Sequence, residues 1–369
     1  MKASWKPDCR NFLGYKPCPM NRSCGGCAHY RAWSGRVLLI KLAAKGDVLR
    51  TTPLAKALKQ KNPGCRLTWL TMPDSIPLLQ GNPDVDRVLG YGPEAIIQVC
   101  SEKYDEIICL DKEPHAAGLA SLLSARAKHG FGWHSGGYLV PLSKNSRHIY
   151  DLGLSDELKF EQNKKSYQQL IIEACGLEYK QQEYVLNLTQ TEKDWATGYL
   201  KSLRAFNRKK YLLGINTGAG KAFPTKAWPS ERIIKLYTLM KGNRNIGILL
   251  LGGDEERDLN KKILGKCPGM LSASNDLDLR QFASVIERLD VLVSSDTLAM
   301  HIGIALEKQV VALFGPTSAQ EIDLYGKGVK LESKIDCAPC YRTMCKDTVC
   351  MAGISPESVM AAVKRFLKT

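Results

Sequence analysis

The chain alternates short, continuous apolar runs with segments in which apolar residues recur every three or four positions. Runs of β-branched and aliphatic residues read as strands buried on both faces, and the periodic segments between them as helices packed against those faces. RVLLIK at 36–41 is the first such strand, and RLTWL (66–70), DEIICL (105–110) and AKHGFGW (127–133) are further candidates. GDVLRTTPLAKALKQ has helical spacing in Val48, Leu49, Leu54, Ala57 and Leu58, with Pro53 expected to bend the helix or mark its start. A second series comprises YLLGIN (211–216), IGILLLGG (246–253), VLVSSD (291–296) and QVVALFG (309–315). Between the two series, 176–210 is polar and helix-prone, with KDWATGYLKSLRAF as its amphipathic part. The alternation predicts an α/β protein with two parallel sheets covered by helices. Its expected organisation is a Cys-rich segment 1–35, a first domain 36–175, a connection 176–210 and a second domain 211–369. Ligands of open parallel sheets bind outside the strands' carboxyl ends. Two such domains face to face would put donor and acceptor on opposite walls of a cleft.

At 369 residues, 44% hydrophobic and 24% charged, the chain can fill two cores, and its composition excludes disorder, collagen and coiled coil. No window approaches eighteen uninterrupted apolar residues, and MKASWKPDCRNF lacks the apolar stretch and cleavage site of a secretory signal, so a cytoplasmic location is expected. The net charge of +15 favours an anionic partner: nucleic acid, an acidic membrane face or a phosphorylated substrate. Residues 1–36 concentrate the excess, with Lys2, Lys6, Arg10, Lys16, Arg22, Arg31 and Arg36 against the single acid Asp8.

Thirteen cysteines in a reducing compartment argue against a disulfide scaffold. Eight are clustered: Cys9, Cys18, Cys24 and Cys27 near the start, Cys337, Cys340, Cys345 and Cys350 near the end, each group with one C-x2-C pair. Four convergent thiolates at about 2.3 Å suit a tetrahedral ion, zinc by default and iron as competitor. Reduced, unligated thiols and a mixed site drawing on both termini are the alternatives. Cys65, Cys100, Cys109, Cys175 and Cys267 read as small core residues.

Two loop-to-helix junctions suit a diphosphate. GINTGAGKAFPTKAWPSERIIKLY sets small residues, Lys221 and Lys226 ahead of a helix whose first turn has Pro229, Ser230 and Glu231. In SSDTLAMHIGIAL, Asp296 and Thr297 precede a helix carrying His301. Neither is a Walker loop and no GxGxxG follows the first strand, which disfavours ATPases and ordinary dehydrogenases. The acids of LGGDEE could accept from ribose hydroxyls or complement a helix dipole. Asp47 reads either as a helix N-cap or as a catalytic base.

Taken in order, LLIKLAAKGDVLRTTPLAKALK, GINTGAGKAFPTKAWPSER, LLLGGDEE and SSDTLAMHIGIALEKQVVALFGPTSAQEIDLYG resemble the successive signatures of glycosyltransferase family 9, the ADP-heptose:lipopolysaccharide heptosyltransferases. DCAPCYRTMCKDTVCMAGISPESVMAAV is similar to that family's cysteine-bearing ending, whereas the first thirty-five residues lie outside its common core. The resemblance implies a GT-B fold, two Rossmann-like domains with the acceptor side first and the nucleotide-sugar side second. It also implies inverting transfer of heptose from ADP-heptose without a catalytic metal. By motif, Asp47 would be the general base and Lys226 would neutralise the leaving diphosphate. Asp296, Thr297 and His301 would hold the nucleotide, Thr217 and Gly218 would line the phosphate loop, and Glu255 would reach the ribose. Leu298 stands where many members have glycine. Arg50 stands where several have histidine, and it would suit an anionic acceptor.

A lipopolysaccharide core or related surface glycan is the acceptor so implied. Another donor sugar, or a protein or small-molecule acceptor, is the nearest alternative. The aromatic, basic amino-terminal segment (Trp5, Phe12, Tyr15, Tyr30, Trp33) is expected to cap the acceptor domain as a metal-stapled module, or to meet the anionic inner leaflet. A monomer with no nucleic-acid partner is expected. A non-catalytic nucleic-acid-binding protein is the remote alternative, because no RNP, zinc-finger or helix-turn-helix pattern accompanies the charge.

Overall fold

The computed structural model describes residues 5–14, 18–20, 23–203 and 210–367. Lys2, Lys16, Arg22 and Tyr15 of the basic segment, and 204–209 of the connection, lie outside them. Twelve strands are present among the described residues: β1 Gly35–Ile40, β2 Cys65–Thr71, β3 Arg87–Gly90, β4 Tyr104–Cys109, β5 Ala125–Trp133, β6 Leu139–Pro141, β7 Tyr211–Asn216, β8 Ile246–Leu251, β9 Leu271–Ser272, β10 Val291–Ser295, β11 Gln309–Phe314 and β12 Gly328–Glu332.

They form two six-stranded sheets, ordered β3-β2-β1-β4-β5-β6 and β12-β11-β10-β7-β8-β9. All neighbours are parallel except β6, which pairs antiparallel with β5. In the first sheet Val37 pairs with Leu67 on one side and Glu106 on the other, and in the second Val293 pairs with Ile215 and Val311. Both sheets therefore follow the Rossmann order, in which the chain leaves the first strand in opposite directions across the sheet. The crevice at that reversal lies between β1 and β4 in one sheet and between β7 and β10 in the other. The central strands are closed on both faces: Leu38, Leu39, Ile40, Leu212, Leu213 and Ile215 are fully buried.

Pro53 does not interrupt the helix Lys45–Lys61. Proline cannot donate to the carbonyl four residues back. That carbonyl, on Leu49, accepts instead from the Thr52 hydroxyl at 2.7 Å, and Thr51 bonds the Asp47 carbonyl in the same way. The helix Gln190–Ser202, started by the capping box of Thr189 and Glu192, buries Ala196 and Leu200. Leu200 belongs to a core cluster shared with Leu212, Leu292 and Phe314, and the same cluster takes in Leu49 and Leu78 from beneath the first sheet. Apolar packing thus runs continuously from one sheet's helices to the other's.

Ahead of β1, the amino-terminal segment has one isolated bridge, Cys9 to Ala32, and none of its described residues is buried. It rests on the turn before β2: Arg10 stacks 4.5 Å over the Trp33 ring and donates to the Pro63 carbonyl, and Ser34 bonds Gly64. That turn is at the sheet's amino edge, opposite the β1/β4 crevice. No described helix is long and apolar enough to cross a membrane.

Candidate active site

The chain places charged residues immediately beyond the buried strands at both crevices. Lys41 follows β1 and Asp111 lies two residues after β4. Their side chains are almost fully buried and in direct contact, and Asp111 also accepts from the Leu42 amide. Lys41 Nζ is 3.9 Å from the Asp47 carboxylate. Asp47 sits in the first turn of the helix Lys45–Lys61 and not at its cap, which is Ala44. One turn on, Arg50 Nε pairs with Asp47 at 2.9 Å. Burial would raise the Asp47 pKa, but Arg50, Lys41 and His301 outweigh it and hold the carboxyl below its ordinary range. Asp47 is 36% exposed, so this ionised oxygen can still be reached from the cleft.

Arg50 is fixed from several directions. Its guanidinium lies 3.8 Å over the Tyr167 ring and 3.9 Å from Glu321, which belongs to the second lobe. Glu321 also pairs with Lys159 of the first lobe at 3.5 Å.

On the opposite wall, Lys226 donates to the Asp296 carbonyl at 3.0 Å and to its carboxylate at 3.1 Å. His301, on the first turn of the helix Leu298–Ala305, is 3.5 Å from the other Asp296 oxygen. The other ring nitrogen faces the Tyr184 hydroxyl at 3.4 Å. Burial opposes ionisation of Asp296, but the His301 hydrogen bond and the Lys226 charge hold its pKa far below the usual carboxylate range. Thr297 is the N-cap residue of that helix and Leu298 its first residue. Asn216 at the end of β7 ties the two loops together, donating to the Gly218 carbonyl at 3.0 Å and the Thr297 hydroxyl at 3.2 Å.

Asp47, Arg50, Lys226, Asp296, Thr297 and His301 therefore meet in one cleft. Thr217 turns away from it: its amide bonds Leu251 and its hydroxyl bonds Leu251 and Asn260, leaving neither group for a ligand. Gly218 lies against Glu256, whose carboxylate would be 3.2 Å from a Cβ at 218. Glu255 is exposed and accepts from the Lys221 amide at 2.9 Å, in the loop after β7. Reading the sequence missed Lys41, Asp111, Tyr167, Tyr184, Asn216 and Glu321. Lys41 and Asp111 had a signal, a charge set directly at the carboxyl end of a buried apolar run; the others had none.

The cysteines differ from expectation in two respects. Cys65, Cys109, Cys175 and Cys267 are buried, but Cys100 is exposed, because it lies on the outer face of the helix Pro93–Ser101. Among the described residues no group of three or more His, Cys, Asp and Glu side chains is assembled to hold a metal ion, so neither expected cluster is formed as a ligand set. Of the carboxyl-terminal four, Cys350 is a core residue beside Met351, whereas Cys337 and Cys345 are exposed.

Comparison with known proteins accords with this geometry. The family model for glycosyltransferase family 9 (heptosyltransferase) matches residues 95–349. Lipopolysaccharide heptosyltransferase 1 of Salmonella typhimurium is 24% identical over 320 residues, 79% of this chain and 92% of that protein. Among solved structures, a family 9 glycosyl transferase from Veillonella parvula superposes with a TM-score of 0.70 at 19% identity, covering 91% of this chain and 98% of the other. The Escherichia coli ADP-heptose lipopolysaccharide heptosyltransferase II gives 0.68 at 17%, covering 90% and 98%. With two Rossmann-ordered sheets facing a cleft, the fold is GT-B, and the chain belongs to glycosyltransferase family 9, the heptosyltransferase family of glycosyltransferases.

Proposed function

We propose that the protein transfers heptose from ADP-heptose, with inversion, to a hydroxyl of a lipopolysaccharide core or related surface glycan, with Asp47 as general base. The observation that carries this reading is the placement of Asp47, ionised between Lys41 and Arg50, across the cleft from the Lys226–Asp296–His301 group. An alcohol ionises too weakly to attack unaided at neutral pH. Asp47 takes the acceptor proton as the acceptor oxygen bonds to the anomeric carbon; the carbon–oxygen bond to the diphosphate breaks, and its electron pair leaves with ADP. Such assistance is typically worth ~10²–10⁴-fold.

Lys226 is the cation for the departing diphosphate. Asp296 now occupies it, so donor binding replaces one anionic partner by another at a preorganised site. Thr297 and the free amides at the start of the helix Leu298–Ala305 add donors. Arg50 and Lys159, both paired with Glu321, are the cations that an anionic acceptor sugar would compete for, and a lipid-linked acceptor would be met at the inner membrane face.

A thermal-shift panel with ADP, UDP, GDP and ADP-heptose tests the donor. A ligand at about 100 times its dissociation constant adds ~2.7 kcal/mol, several degrees in a chain of this size. The expected result is a shift with ADP and ADP-heptose alone. A larger shift with UDP or GDP overturns the donor assignment.

A further inference from the structure

The amino-terminal segment has a fold without a core. None of the described residues from 5 to 36 is buried, and its one bridge joins Cys9 to Ala32. Ordering about thirty residues carries a large cost in backbone entropy, and segments this short need a metal, disulfides or a partner surface to hold them. Its contacts to the first lobe run through Arg10, which donates to the Pro63 carbonyl, Ser34, which bonds Gly64, and the Trp33 ring, which faces Lys59 and Arg66.

What the segment does share is a small cavity. Cys9, Cys18, Cys24 and Cys27 all line it, together with His29, Trp5, Phe12 and Tyr30. The turns are built from the same residues: the Phe12 amide bonds the Cys9 carbonyl, the Cys27 amide that of Cys24, and the Tyr30 amide that of Cys27. Gly26, between Cys24 and Cys27, has φ of 61°, in the left-handed region a side chain disfavours.

We infer that Cys9, Cys18, Cys24 and Cys27 bind one thiophilic divalent cation, zinc, and that this ion holds the amino-terminal segment folded against the amino edge of the first sheet. Four thiols lining one cavity supply the number and kind of donors that tetrahedral zinc–thiolate coordination takes. The described thiols stand open around the cavity and are not drawn into a ligand set; the ion completes the set as it binds, and each thiol that ligates releases its proton to solvent. The site lies at the opposite end of the sheet from the cleft, so its role is structural and independent of the transfer reaction.

The full chain, purified under reducing conditions, tests this by elemental analysis and by cobalt substitution. Cys24→Ser/Cys27→Ser should lose one equivalent of zinc, and Cys337→Ser/Cys340→Ser should not. The cobalt form should show thiolate charge-transfer and tetrahedral d–d absorption, abolished only in the first variant. Chelation should open residues 1–34 to protease while the melting transition of the two lobes persists, which separates loss of the site from general unfolding. Retention of the metal by Cys24→Ser/Cys27→Ser, an iron–sulfur chromophore at these cysteines, or four thiols that alkylate freely in metal-replete protein would each overturn the assignment.

Discussion

Gly46 lies so close to the imidazole of His301 that a Cβ at position 46 would stand 2.7 Å from its Cδ2. The glycine just before Asp47, the proposed base, is thus the seat for His301 of the other lobe. A methyl group there cannot be accommodated without moving either the ring or the helix Lys45–Lys61.

Gly46→Ala is therefore expected to push the lobes apart at this contact and displace His301 from Asp296. Overpacking of this kind costs about 1–3 kcal/mol. Turnover should fall by at least tenfold, accompanied by a lower melting point. Steady-state kinetics with a thermal scan checks this; parental kcat/KM in the variant would show that the contact does not matter to the site.

Asp47→Asn keeps shape and removes the proton acceptor. Folding and the ADP-induced thermal shift should be unchanged while kcat drops ~10²–10⁴-fold. Full turnover would remove Asp47 from the mechanism without touching the donor assignment.

The buried pair of Lys41 and Asp111 sets up a third test. Truncating one partner strands a buried charge, so Lys41→Met should destabilise by about 3–5 kcal/mol. Lys41→Met/Asp111→Asn neutralises that charge while keeping an acceptor for the Leu42 amide, and it should recover a large part of the loss. Urea denaturation of the parent and both variants reads the difference. Equal losses in both variants would mean that Lys41 acts by packing alone.

Glu192 joins the Gln190–Ser202 helix to Arg280 of the helix Leu279–Glu287. The Arg280 guanidinium, with the Thr189 amide and hydroxyl, lowers its pKa from 4.5 to about 2. A carboxyl whose folded pKa is depressed adds stability above its unfolded value, and that stability is lost as pH falls through the folded one. The parent should be more stable than Glu192→Gln at about pH 6, and the gap should close between 4.5 and about 2. Melting curves across that range decide it; a gap independent of pH would assign the effect to geometry and not to charge.

The central strands were legible because their signal is local. RVLLIK, DEIICL, IGILLL and QVVALF are apolar on every residue that must be covered on both faces, and each coincides with a strand. β3, β6 and β12 were not legible: they are mostly half-buried at sheet edges, and RVLG, LVP and GVKLE are too short or too mixed to show a period. Pro53 misled for a related reason. Its cost falls on the Leu49 carbonyl, and the Thr52 hydroxyl that meets that cost is visible only once the helix exists.

The same division holds for the site. Element type, the charges placed just after buried strands, and the loops rich in small residues follow from short-range preferences of the chain, so the amino-acid order alone determines them. Which carboxyl ends become crevices depends on strand order, and the order is settled by which apolar faces can be covered together. Likewise the tertiary structure alone turns Thr217 into the core, sets Glu321 against Arg50 and seats His301 on Gly46. Those contacts join residues far apart in the chain, and no local pattern encodes a distance between them.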